Sequence, residues 1–297
     1  MDSAEAVSAF RLVVAVAILA LASVLDVRTR KVGNRYWIAM AAIGLVLIPV
    51  QLSIDGGRWE YLVVFVPILA ILSDVYWDAK PGTRLETYGP AVKYVITVLS
   101  LFLIAYYWGS IPYFQHLFAI PIMMLAIVGM YMLDIIRGGA DAKALISMSI
   151  LFPFYPIVGP IPAIQGSELS SIVFPFSFTV LVNAAIIVAI IMPLGFLISN
   201  LAAGDLRFPN ALFGRKMDVD SAKVRHVWLM ERIVNGTHVF YTRPKREEDL
   251  VKELDLLKRA GFNRVWVTPK IPFMLPMLAS LAVSAIVGNF LILLFPL

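Results

Sequence analysis

Polar residues interrupt this chain so rarely that their positions define its elements. Runs of roughly 20 apolar residues satisfy the length that a helix needs to cross a bilayer. Eight stretches come near that measure: about Ala6 to Leu25, Tyr36 to Leu52, Glu60 to Ser73, Tyr88 to Trp108, Pro112 to Ile136, Ala142 to Val158, Ile172 to Asn200 and Ile271 to Pro296. The third is the shortest, and Pro153 and Pro156 interrupt the sixth, where a kink or an early stop is expected. Between Leu201 and Lys270 the pattern changes. Val224 to Ile233 reads as a strand, Asn235-Gly236 as a hairpin turn and Thr237 to Tyr241 as the returning strand. Arg246 to Ala260 carries Leu250, Leu254 and Leu257 on one helical face, with Gly261 as its stop, and Val265 to Val267 reads as a third strand. The expected fold is an all-α polytopic membrane protein of about eight spans, with six to eight allowed. A small cytoplasmic α/β insert precedes the last helix. By residue number, 1–200 are expected to form the transmembrane domain of spans one to seven, 201–270 the soluble domain and 271–297 the final span.

Composition agrees: 60% of the 297 residues are apolar, 15% are charged and the mean hydropathy is +0.83, whereas soluble domains carry about 25% charged residues. The absence of cysteine removes thiol nucleophiles and Cys-based zinc sites. His116, His226 and His238 are scattered without ligand spacing, and no G-x-S-x-G elbow occurs. No metal or other cofactor is expected. Asp2 and Glu5 precede the first basic residue, the reverse of a cleaved signal peptide, so the first run is expected to be a retained span.

Charge orients the spans. With the N-terminus outside, 23 of the 25 basic residues fall in cytoplasmic segments and only Arg11 and Arg58 outside. The insert alone has 14 basic and 9 acidic residues, a face suited to resting on anionic lipid headgroups. No nucleic-acid partner is expected. In this topology Asp26, at the end of the first run, and Asp141, in Arg137-Gly138-Gly139-Ala140-Asp141-Ala142-Lys143, share one depth at the cytoplasmic edge.

Ionisable groups beside hydrocarbon are costly and usually functional. Two carboxylates in reach of one another share a proton near neutral pH, and such a pair can cleave a peptide bond: one activates water while the other polarises the carbonyl. Helix ends alone would make Asp141, at an N-terminus, the base and Asp26, at a C-terminus, the acid. Gly138, Gly139 and Ala140 leave room for an extended substrate, and Lys143 and Arg28 are placed to neutralise or orient the acids. Asp134 stands two helical turns before Asp141, on the same face. Asp74 and Asp78 form a fallback pair.

Asp26-Val27-Arg28-Thr29-Arg30 and Gly138-Gly139-Ala140-Asp141-Ala142-Lys143 resemble the two motifs of the GxGD membrane aspartic proteases. They are closest to the archaeal preflagellin and prepilin peptidases related to type IV prepilin peptidases, with Ala140 in place of the last glycine. Trp266 to Phe273 is similar to that family's entry into its final span. The resemblance implies an aspartic endopeptidase that removes a short basic leader from pilin or archaellin precursors at the cytoplasmic membrane edge. With no cysteine cluster, it implies peptidase activity without N-methylation. Archaeal members usually have six spans, so two extra spans are expected here, within Glu60 to Trp108. The alternatives are a presenilin or signal-peptide-peptidase-like protease, to which Pro276-Met277-Leu278 is loosely similar, and a proton-coupled transporter.

Overall fold

The computed structural model describes residues 2–77, 84–241, 249–290 and 292. Asp78 and Arg246, both used in the reading above, lie outside the described residues, as does the end of the expected last span. The chain divides into two compact units, Met1–Ala184 with Pro272–Leu297, and Ala185–Ile271.

In the first unit, helix α1 (Ser3–Thr29) starts in a capping box in which Asp2 Oδ1 accepts the Glu5 N–H at 2.7 Å. It runs four residues beyond the expected end, because Arg30 adopts a left-handed φ of 56° and returns its N–H to the Asp26 carbonyl. Asp26 therefore sits in the last turn of α1 instead of following it. Helix α2 (Asn34–Ile54) returns, and a 3-10 turn at Trp59–Val64 leads into α3 (Phe65–Tyr76). Then come α4 (Arg84–Trp108), α5 (Pro112–Met132), α6 (Gly139–Leu151) and the short α7 (Glu168–Val173). Helix α8 (Phe176–Ala203) passes from the first unit into the second, and α12 (Met274–Ile286) ends the described elements of the first.

The protein is a polytopic helical membrane protein. Among the described residues, six helices are long and apolar enough to cross: Ser3–Thr29, Asn34–Ile54, Trp59–Tyr76, Thr87–Trp108, Pro112–Met132 and Phe176–Ala203. The other two expected spans appear as α6 and α12, of 13 residues each. At 1.5 Å per residue they extend about 20 Å, short of a hydrocarbon core of about 30 Å. Pro153 sets the limit on α6, since the residue before a proline is driven out of helical geometry and Phe152 has ψ 75°.

Helices α2 and α6 touch backbone to backbone. A Cβ on Gly44 would stand 2.8 Å from the Leu151 nitrogen and 2.9 Å from the Ile150 carbonyl. Around this contact Trp37, Met40, Ile48, Leu145, Met148 and Leu151 are buried in one apolar core. Arg11, expected outside, is buried within the bundle, where its Nη2 donates to the Leu47 carbonyl at 3.2 Å.

In the second unit, α9 (Asn210–Phe213) precedes β1 (Arg215–Asp218), and α10 (Val219–Val224) follows it. Strand β2 (Val227–Leu229) leads to the hairpin β3 (Glu231–Val234) and β4 (Thr237–Phe240), then α11 (Leu250–Arg259) and β5 (Arg264–Pro269). The antiparallel order is β1-β5-β2, with β3-β4 separate. The single strand expected from Val224 to Ile233 is two strands, because the chain changes partner at Met230: its N–H bonds Trp266 and its carbonyl accepts from Tyr241. Asn235 and Gly236 both have positive φ, 51° and 78°, as a tight hairpin turn requires. Leu254 and Leu257 bury the expected face of α11 against Val227, Leu229, Val265 and Val267.

Candidate active site

The first unit gathers helix ends of alternating polarity at one end of the bundle. The last turn of α1 carries Asp26, the first turn of α6 carries Asp141, and the N-terminus of α12 supplies Met274, whose N–H reaches Asp26 Oδ2 at 3.5 Å. Asn34 at the start of α2 meets Lys143, and Tyr76 at the end of α3 meets Lys143 and Ser147. Lys93 of α4 meets Ser73 and Asp74 at the same end of α3.

The two aspartates, 115 residues apart in the chain, lie close enough for the charge of Asp26 to act on Asp141. Among the described residues no hydrogen bond joins their carboxylates directly, so the pair interacts through space. Asp141 is the more constrained. Burial first, and the neighbouring Asp26 charge second, push its carboxyl up to about 7. Desolvation thus outweighs the favourable N-terminal end of α6. Asp26 accepts an N–H from the first turn of α12.

Gly138 caps α6 in an extended conformation open to any residue, φ −91° and ψ 116°. Its requirement is space, because a Cβ there would run into the Asp141 carboxylate, with Cγ at 2.7 Å. Gly139 opens the helix, and a Cβ there would make only ordinary contact with the Tyr131 hydroxyl at 3.5 Å. Ala140 packs on the apolar core.

Lys143 and Arg28 stand elsewhere than at the carboxylates. Lys143 Nζ donates to Asn34 Oδ1 at 3.0 Å and lies 5.5 Å from the centre of the Tyr76 ring, so it fastens α6 to α2 and α3. Arg28 is exposed and has no contact with either acid among the described residues. Asp134 is likewise apart from the pair. Helix α5 ends at Met132, Asp134 adopts φ 58° and its carboxylate faces Arg137 at 3.8 Å. Asp74 is paired with Lys93 at 3.6 Å.

Two residues near Asp26 escaped the sequence reading. Met274 contributes a backbone group, to which side-chain patterns are blind. Ser23, one turn before Asp26, has a buried hydroxyl with no hydrogen-bond partner among the described residues. Its i, i+3 spacing from Asp26 is the signal that could have found it.

Residues 207–290 match the family described as archaeal peptidase A24 C-terminus type II, a stretch running through β1–β5 into α12. The chain is 26% identical over 260 residues to the preflagellin peptidase of Methanococcus maripaludis, covering 84% of this chain and 94% of that one. It is 23% identical over 277 residues to the preflagellin peptidase of Methanocaldococcus jannaschii, covering 91% of each. With the preflagellin peptidase of Methanococcus voltae it shares 24% identity over 278 residues, 91% of this chain and 92% of that one. A bundle with two aspartates at one end is thus similar, over most of its length, to the archaeal preflagellin peptidases.

Proposed function

We propose that this protein is a membrane-embedded aspartic endopeptidase that removes the short basic leader of pilin or archaellin precursors at the cytoplasmic edge of the membrane, with Asp26 and Asp141 as its catalytic pair. The observation that carries the reading is the approach of these two carboxylates from the ends of α1 and α6, with burial and the Asp26 charge pushing the Asp141 carboxyl up to about 7. Similarity to three preflagellin peptidases supports the substrate class.

In this mechanism Asp26 takes a proton from a water molecule as the oxygen attacks the scissile carbonyl carbon. Asp141 gives its proton to the carbonyl oxygen, forming a neutral tetrahedral diol. Collapse breaks the C–N bond. The proton taken up by Asp26 passes to the leaving nitrogen, and a diol hydroxyl returns its proton to Asp141. The Met274 N–H fixes Asp26 through its Oδ2, and Gly138 leaves the Asp141 carboxylate its place. The basic leader stays in the cytosol, where 23 of the 25 basic residues of the enzyme are assigned by charge bias.

The test is cleavage of a co-expressed precursor followed by intact mass. Asp26→Asn and Asp141→Asn should each lower processing by at least about 100-fold, the lower range for loss of a general acid or base, while the protein remains inserted and folded. Robust cleavage by either variant would remove the pair from the chemistry.

A further inference from the structure

We propose that the second unit holds a binding site for the phosphate of an anionic phospholipid headgroup, built where α8 leaves the membrane. The site is a cavity of about 270 Å³. Its floor is the last turn of α8, with Ser199 and Asn200, and its wall is β1 with Arg215 and the end of α10 with Arg225.

The charges in it are not all spent on one another. Asp205 is engaged by Lys216 at 3.4 Å and Arg264 at 2.9 Å, all three on the cavity wall. Arg215 and Arg225 make no ion pair or hydrogen bond among the described residues, and the Arg215 Nε is buried without an acceptor. Asp218 also faces the cavity, leaving four cations against two carboxylates. A guanidinium Nε in that state is costly to bury, and a phosphate oxygen satisfies it.

The depth of the cavity selects a lipid. Helix α8 has 28 residues and extends about 42 Å, about 12 Å beyond a hydrocarbon core of about 30 Å. Its lipid-facing side continues to Ile198 and Leu201, 67% and 53% exposed, in the same turn as Ser199 and Asn200. Leu206, Phe208 and Phe213, which follow the helix, are exposed apolar side chains of the kind that enter the interfacial layer. Arg215 and Arg225 are thereby held at headgroup level, where basic residues are attracted to an anionic surface.

The test uses the full-length, delipidated protein returned to nanodiscs of phosphatidylcholine alone or with phosphatidylglycerol, with native mass spectrometry of retained lipid and a thermal melt. Wild type should retain phosphatidylglycerol at least tenfold over phosphatidylcholine and melt higher in its presence. Arg215→Gln and Arg225→Gln should each lose that preference, Arg215→Lys should keep part of it, and Arg259→Gln, on exposed α11, should leave it unchanged. Equal loss in Arg259→Gln would reduce the effect to diffuse charge and overturn the site. A melt shift by inorganic phosphate alone, with no lipid preference, would overturn the lipid assignment. Should Arg215→Gln misfold, Arg225→Gln decides, since Arg225 lies exposed at the end of α10. None of these readouts uses peptide cleavage, so their failure leaves the peptidase reading where it stood.

Discussion

The carboxylate of Asp141 occupies the space that a side chain on Gly138 would need. Gly138→Ala keeps an allowed backbone but forces the carboxylate away, and a displacement of 1 Å in a reacting group costs on the order of 100-fold. Precursor cleavage should fall by about that factor in Gly138→Ala. Gly139→Ala, where a Cβ meets only ordinary contact, should stay within about threefold, since Ala is also the better helix former. Equal losses in the two would assign the motif to flexibility instead of to room for the acid.

The pH profile follows from the Asp141 carboxyl at about 7. Cleavage needs that proton, so the rate should fall on the alkaline side with a midpoint near pH 7, measured as initial rate against pH. Stability has a definite sign as well. The folded carboxyl is raised above its unfolded value of 3.8, so its contribution is complete below about pH 4, declines as the pH rises toward 7 and is gone above it. Asp141→Asn should therefore raise the melting temperature relative to wild type more at pH 8 than at pH 5. A constant difference across that range would contradict the burial of the charge.

Gly44 has no room to grow against Ile150 and Leu151. Gly44→Val should cost about 1–3 kcal/mol through overpacking, read as a lower melting temperature. Catalysis should suffer too, because α6 carries Asp141. A folded Gly44→Val protein with wild-type rates would disconnect this packing from the site.

Substrate geometry supplies another test. If the aspartates act at one depth, inserting three or four residues between the cut and the hydrophobic helix of the precursor moves the bond by about 1.5 Å per helical residue. Processing should then collapse or shift by the inserted length. Unchanged cleavage at the original bond would mean that local sequence alone recruits the substrate.

Much of this was legible because membrane chains advertise their elements. Asp26 and the Gly138 to Asp141 stretch stood out as charges beside apolar runs, and Asn235-Gly236 marked its hairpin through backbone chemistry that is local. What escaped was long-range. Lys143 beside Asp141 in sequence suggested an electrostatic partner, yet its ammonium is taken by Asn34, 109 residues away. Arg11 looked like a loop marker and is instead buried with its guanidinium on the α2 backbone. The burial that raises the Asp141 carboxyl belongs here too: helix polarity is read locally, burial is not.

The contact at Gly44 also partitions the mobility of the catalytic pair. Helix α6 rests on α2 through the backbone of Ile150 and Leu151 at its far end and is tied to Asn34 by Lys143 beside Asp141, so Asp141 rides on a helix held at both ends. Asp26 rides on α1 and is fastened to α12 by one long N–H contact. Under the proposed mechanism, an adjustment of the gap between the two acids as a peptide enters would fall to Asp26, carried by the helix that begins the chain and touched by the helix that ends its described fold.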